Sequence, residues 1–291
     1  MKRLLPLLIL TLASACAHAD APKPLLWKVS DADNSVYLLG SFHLLKPADY
    51  PLAASTDAAF ADAEKLVFEV PPAELADPAL GQKMLKAGTR TDGKTLEQSL
   101  PPAAFKKLEA FSASSGMPMS ALQTYEPWFV SLLVSIVEMK KMGLDPELGL
   151  DKHFAALAAK SGKPTQGLET GDMQIALFDG MTEAEQAQLV LDTLDELGDS
   201  GKRIDEMHAM WRNGEGDKLF AQTGGEMKAK YPSLYARMNT DRNRAWLPQV
   251  AKLLDDSKRD DTLIVVGSMH LLGSDGLVAM LKAKGYKVER L

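Results

Sequence analysis

The chain has 291 residues, of which 46% are hydrophobic, 25% charged and 7% aromatic, with 21 glycines and 16 prolines. That length and composition bury a full core without disulfide support and exclude a disordered or fibrous chain. The 33 basic and 39 acidic side chains give a formal charge of -6. No basic patch survives that balance, which argues against nucleic-acid binding by phosphate neutralisation.

Lys2 and Arg3 precede an apolar run from Leu4 to Leu12, and small residues then lead into Ala17-His18-Ala19 before Asp20. A basic start, a short apolar stretch and an Ala-x-Ala site predict a secretory signal peptide over residues 1–19, cleaved after Ala19. The run is shorter than the about 20 apolar residues that cross a bilayer, so no transmembrane segment is expected after cleavage. The lone cysteine, Cys16, lies inside this segment. A mature chain without cysteine suits an oxidising compartment in which the fold relies on its core. The expected location is periplasmic or secreted. Lipid attachment through Ala13-Ser14-Ala15-Cys16 is the competing reading, disfavoured by Ala13 where such sites usually carry leucine.

Residues 20–291 read as one domain. The runs Leu25 to Val29 and Val36 to Leu39 flank the turn-forming Asp31-Ala-Asp-Asn34 and predict a hairpin. A third strand is predicted from Lys65 to Val70, ended by Pro71 and Pro72. Residues 73–160 carry Ala, Leu and Met at helical spacing. Within them Trp128 to Val137, apolar on nearly every face, predicts a buried central helix. A short strand from Pro164 to Leu168 leads into Glu169-Thr170. Residues 171–256 then read as mostly helical, with Thr182 and Glu185 forming a capping box for a helix to Leu197. The chain closes with a strand from Thr262 to Val266, a turn from Gly267 to Gly273, a helix from Ser274 to Lys284 and a strand from Lys287 to Leu291. These elements predict an α/β fold, a mixed sheet of N- and C-terminal strands with a large helical middle section.

One pattern occurs twice. Val36-Tyr-Leu-Leu-Gly40-Ser41-Phe42-His43-Leu44-Leu45 is echoed by Leu263-Ile-Val-Val-Gly267-Ser268-Met269-His270-Leu271-Leu272. A glycine directly after a buried strand permits a tight turn, and the histidine three residues on would stand at the strand's carboxyl end, where open α/β sheets bind ligands. Neighbouring strands would aim both imidazoles into one crevice, as metal ligands or general bases. Each histidine could instead cap a turn, a reading that the duplication disfavours.

This ordered set resembles the TraB/PrgY/GumN family, related to the Tiki metalloproteases and more distantly to erythromycin esterases. The resemblance runs over nearly all of the mature chain, through Leu26-Trp27-Lys28-Val29, Glu69, Gly167-Leu168-Glu169-Thr170 with Gln174, Asp241-Arg242-Asn243 and Gly267-Ser-Met-His270. It implies a metal-dependent hydrolase fold and leaves the substrate open.

Two histidines do not complete a catalytic metal site, which takes at least three protein ligands and an open position for water. Glu69, ending an apolar strand, is the natural third, although it could also be a surface glutamate. His43, Glu69 and His270 are therefore the expected ligands of a divalent ion, with manganese, cobalt, zinc and iron not distinguished. Glu169 follows the Pro164 to Leu168 strand and could be a fourth ligand, a general base or a buried partner of Arg242. Arg242 suits bidentate carboxylate contact or an oxyanion, with Arg244 as its near alternative. These two are the expected catalytic residues. His18 leaves with the signal peptide, and His153 and His208 read as ordinary helix residues. No His-Glu-x-x-His, phosphate-cradling loop or Gly-x-Ser-x-Gly elbow occurs. The leading expectation is an exported metal-dependent hydrolase, foremost a peptidase, using a metal-activated water held by the two Gly-x-x-His motifs and Glu69 on a peptide or small-molecule substrate. A metal-free His/Glu hydrolase and a peptide- or signal-binding protein are the alternatives, and the oligomeric state stays open.

Overall fold

The computed structural model describes residues 20–198, 202–255 and 260–291. The expected signal peptide and Cys16 lie outside the described residues. Six strands form one mixed sheet: β1 (Leu26–Ser30), β2 (Ser35–Ser41), β3 (Lys65–Phe68), β4 (Thr165–Gly167), β5 (Thr262–Gly267) and β6 (Lys287–Arg290), in the order β4-β3-β5-β2-β1-β6. β2, β5, β3 and β4 are parallel, while β1 runs antiparallel to both β2 and β6. The two central strands read Ser-Val-Tyr-Leu-Leu-Gly-Ser and Thr-Leu-Ile-Val-Val-Gly and are buried at every residue, as strands covered on both faces must be. β6 carries Lys287, Glu289 and Arg290 outward, charges that suit an unpaired edge.

The α/β architecture is the one expected, and the predicted hairpin is β1–β2. The long helical tract is divided more finely than its periodicity suggests. Prolines occupy the first turn of Pro72–Leu75, Pro78–Ala87, Pro102–Ser115 and Pro127–Lys141, where their missing N–H has no intrahelical partner to lose. Thr182 and Glu185 cap Glu183–Gly198 reciprocally. The stretch expected as a buried central helix is buried along one side only: Trp128, Val130, Ser131 and Val134 face inward, while Ile136 is 42% exposed. The final helix, expected from Ser274, begins at Leu277 and is preceded by turn residues.

The sheet and its covering helices share one core, in which Leu38, Leu39, Ile264, Val265, Phe154 and Trp246 are fully buried. Two smaller apolar clusters hold the helical middle together, one around Leu108, Val130 and Val190, the other around Trp128, Met181 and Leu234. No helix among the described residues is long and apolar enough to cross a membrane.

Candidate active site

The sheet register brings the two motifs together, but one residue out of step. Ser41 of the first unit lies opposite Gly267 of the second, so Gly40 pairs with Val266. The turns lock onto each other, with the Ser268 hydroxyl donating to the Ser41 carbonyl at 2.8 Å. Phe68 pairs with Val265, which sets Glu69 beside Gly267, whose N–H donates to Glu69 Oε1 at 2.7 Å. A Cβ placed on Gly267 would lie 3.2 Å from Glu69 Oε1, 3.4 Å from His43 Nε2 and 3.7 Å from His270 Cδ2. Both histidines and Glu69 therefore meet around a bare Cα, where any side chain would intrude.

The one-residue offset gives the two histidines different surroundings. β2 runs on through Ser41, and the His43 side chain beyond it is 58% exposed. Its Nδ1 meets Asp151 Oδ2 at 2.7 Å, and the Ser41 hydroxyl donates to the same carboxylate at 3.0 Å. Asp151 holds the His43 imidazole protonated far above its usual range, to about 9, against the opposing effect of the protein packed around it. Residues 268–270 instead form a 3-10 turn that folds His270 inward. The Asn243 amide donates to the Asp275 carbonyl at 2.9 Å, which turns Asn243 Oδ1 toward His270 Nδ1 at 2.7 Å. His270 therefore donates from Nδ1 and keeps a lone pair on Nε2. Burial, with the Arg242 and His43 charges, pushes its pKa down to about 3, so it is neutral at physiological pH.

Arg242 fills the space between these groups. Its Nη2 donates to Glu69 Oε2 at 2.5 Å and to Glu169 Oε1 at 2.6 Å, and its Nε reaches Glu169 Oε2 at 3.2 Å. Its Nη1 meets the Met238 carbonyl at 3.1 Å and His270 Nε2 at 2.8 Å. A guanidinium carries five N–H groups, and all are engaged. Trp246 backs the cluster, 4.7 Å from the guanidinium and 4.4 Å from the His270 ring, and donates its own N–H to Glu169 at 3.2 Å. Burial opposes the charge on Glu69, but His270 when protonated, Arg242, His43 and the Gly267 N–H outweigh it and hold the carboxyl at about 2.

Of the roles open to Glu169, partner of Arg242 is the one it occupies, with its side chain 2% exposed. Arg244 points away to Asp241 on the surface. His208 lies in a separate buried contact with Asp49, at 2.8 Å, and His153 packs against Tyr50. Asp151 and Trp246 were not singled out from sequence. Asp151 is separated from His43 by 108 positions and reads locally as an acid in a first helical turn. Asn243 and Gln174, which donates to Glu69 at 3.1 Å, carried only the family resemblance.

Among the described residues no group of three or more His, Cys, Asp or Glu side chains stands in ion-holding geometry. The donor set gives the reason: the His270 Nε2 lone pair and Glu69 Oε2 are both committed to Arg242. As placed, Glu69 and His270 are committed to the Arg242 guanidinium and His43 to Asp151, and the three do not fit a shared ion.

A cavity of about 350 Å³ opens over this centre and is lined by His43, Glu69, Arg242 and His270. A larger one, about 440 Å³, lies against β4 with Lys65, Gln166 and Gln249 on its wall. It touches neither histidine motif, so the smaller cavity is the one joined to the chemistry.

The model of the TraB/PrgY/gumN family matches residues 25–290, and the chain belongs to that family. It is similar to uncharacterized protein YbaP of Escherichia coli (strain K12), at 23% identity over 249 residues that cover 84% of this chain and 87% of the relative. The protein of that name from Shigella flexneri is similar to the same extent. No solved structure matches the chain.

Proposed function

We propose that the chain is a hydrolase of acyl bonds, acting in the cavity above β2, β5 and β3 with His43 moving the proton. The observation that carries this reading is the setting of His43, with Nδ1 on Asp151 at 2.7 Å and Nε2 turned toward Glu69 and Gly267 at the cavity floor. Unprotonated His43 accepts a proton at Nε2 from a water whose oxygen adds to the acyl carbon. The resulting imidazolium, stabilised by Asp151 and Glu69, returns that proton to the leaving oxygen or nitrogen as the acyl bond breaks. Arg242, Glu169 and His270 act behind this pair as positioning residues for Glu69. The basic, apolar, Ala-x-Ala start of the chain supports export, so the substrate is sought outside the cytoplasm.

The test is hydrolysis of activated esters and amides by the full mature chain. His43→Ala should lower kcat/KM by about 10²–10⁴-fold, and turnover unaffected by that change would sink the reading.

The meeting of His43, Glu69 and His270 around Gly267 favours a second reading, in which a divalent ion such as manganese, cobalt, zinc or iron is held there. That requires Arg242 to leave both His270 Nε2 and Glu69 Oε2, and His43 to give up its Nε2 proton. Activity and thermal melting with chelator and with added manganese separate the two. A response to manganese that is lost in Glu69→Gln supports the ion, whereas indifference to both additions supports His43 alone.

A further inference from the structure

We infer that the substrate is a small amphiphilic acyl compound, with its cleavable bond at His43 and an apolar chain lying under the helices. The inference rests on reading this cavity as the hydrolytic site. The charged and imidazole groups that line the cavity gather at its floor, His43, Glu69 and His270 just beyond the carboxyl ends of β2, β3 and β5 and Arg242 reaching them from the helix Asp241–Asp255. Its roof comes from separate helical segments and is mostly apolar: Met139 from Pro127–Lys141, Ile204 and Met207 from Lys202–Arg212, and Leu219 from Gly216–Phe220, with Met269 at the side and Ser135 and Thr193 as its polar members beside Thr223. The Thr223 hydroxyl on this wall is already taken, 2.5 Å from the Leu219 carbonyl and 2.9 Å from Met269 Sδ.

Three properties narrow the ligand. A volume of about 350 Å³ lies at the low end of the small-molecule range of about 300–1,000 Å³, which suits a compact ligand and not a folded partner. Three methionines around the space give an unbranched, adaptable surface suited to a flexible hydrocarbon chain. Arg242 is the floor's guanidinium, and its five N–H groups are engaged with Glu69, Glu169, His270 and Met238. It has no free donor for a phosphate or carboxylate on the substrate, the ionised Glu69 repels one, and His43, the other cation on the floor, must shed its proton to act as the base. A neutral acyl group with an apolar tail fits both ends of the space.

The experiment is a chain-length series of 4-nitrophenyl esters from acetate to decanoate, paired with calorimetry on 2-alkanones of matching length, which bind without being cleaved. Each buried methylene should raise kcat/KM, and tighten ketone binding, by about fourfold until the cavity is full. Met207→Trp should move that break to shorter chains. If the variant fails to fold, the two wild-type series still decide. Ester turnover and ketone binding that are both flat with chain length would overturn the inference and leave the hydrolase reading standing. Chain-dependent ketone binding with no ester or amide cleaved would overturn the hydrolase reading and keep the ligand class.

Discussion

At the carboxyl end of β2 the His43 imidazole keeps its proton to about pH 9, because Asp151 stands in contact with its Nδ1. A protonated imidazole cannot act as a base, so the rate of hydrolysis should climb as pH rises toward that value. Asp151→Asn removes the charge that raises the pKa. The rising limb should then move down toward the usual histidine range near about 6.5, while the plateau falls because Nδ1–H has lost its carboxylate. A pH–rate profile checks this, and a limb that stays in place in the variant would assign the titration to another group. The same pair has the opposite sign in stability. It favours the fold fully below the unfolded histidine pKa, and that contribution is lost as pH rises through about 9. Among single residues, His43, Glu69, Arg242 and His270 were legible because a repeated motif, a strand-ending acid and a family pattern marked them. The inequivalence of the two histidines was not legible. It comes from a register offset between β2 and β5 that identical hexapeptide frames conceal.

The elements around His43 leave little freedom. The turn before the helix Leu150–Ser161 passes so close that a Cβ on Gly149 would lie 2.1 Å from the His43 carbonyl oxygen and 2.7 Å from its carbon. Both are backbone atoms, and the two segments are bonded on either side by Leu45 with Asp145 and by Leu150 N–H to the Phe42 carbonyl. Gly149→Ala should therefore push the His43 segment outward and cost about 1–3 kcal/mol. It should be seen as a lower Tm together with a lower kcat/KM. A fall in neither would mean that the two turns separate freely. The strands were readable as elements because unbroken apolar runs between turn residues have few other interpretations. The extent of helix Pro127–Lys141 was readable only in part, and its half-exposed character was not, since periodicity does not reveal which neighbours cover an apolar face.

Across the molecule, a buried ion cluster ties the cavity roof to the sheet. Asp49, 1% exposed in the segment after β2, accepts from Arg212 Nη1 at 2.6 Å and from the Lys46 N–H at 2.7 Å, and pairs with His208 Nε2 at 2.8 Å. His208 and Arg212 belong to the helix Lys202–Arg212, which also carries Ile204 and Met207 onto the wall of the cavity above His43 and Glu69. Burial works against the Asp49 charge, but His208, the Lys46 N–H and Arg212 hold its carboxyl below the usual range. A depressed carboxyl pKa stabilises the fold above the unfolded value near about 4, and that stability is lost as pH falls through the folded value. Asp49→Asn should cost about 3–5 kcal/mol at neutral pH, with the gap to wild type closing below about pH 4. Denaturant melts across pH test this, and a gap of constant size would show that the Asp49 charge is not what holds the roof.

The partners of Arg242 lie far apart along the chain. Glu69 is 173 positions away, Glu169 is 73 and His270 is 28. Closing loops of that length costs chain entropy that only the finished sheet repays. The centre therefore cannot assemble locally, and it forms only once β3, β5 and the helix Asp241–Asp255 have come together. Until then Glu69 is a carboxylate on an apolar strand end without its counterion, a charge that water and not the protein must solvate.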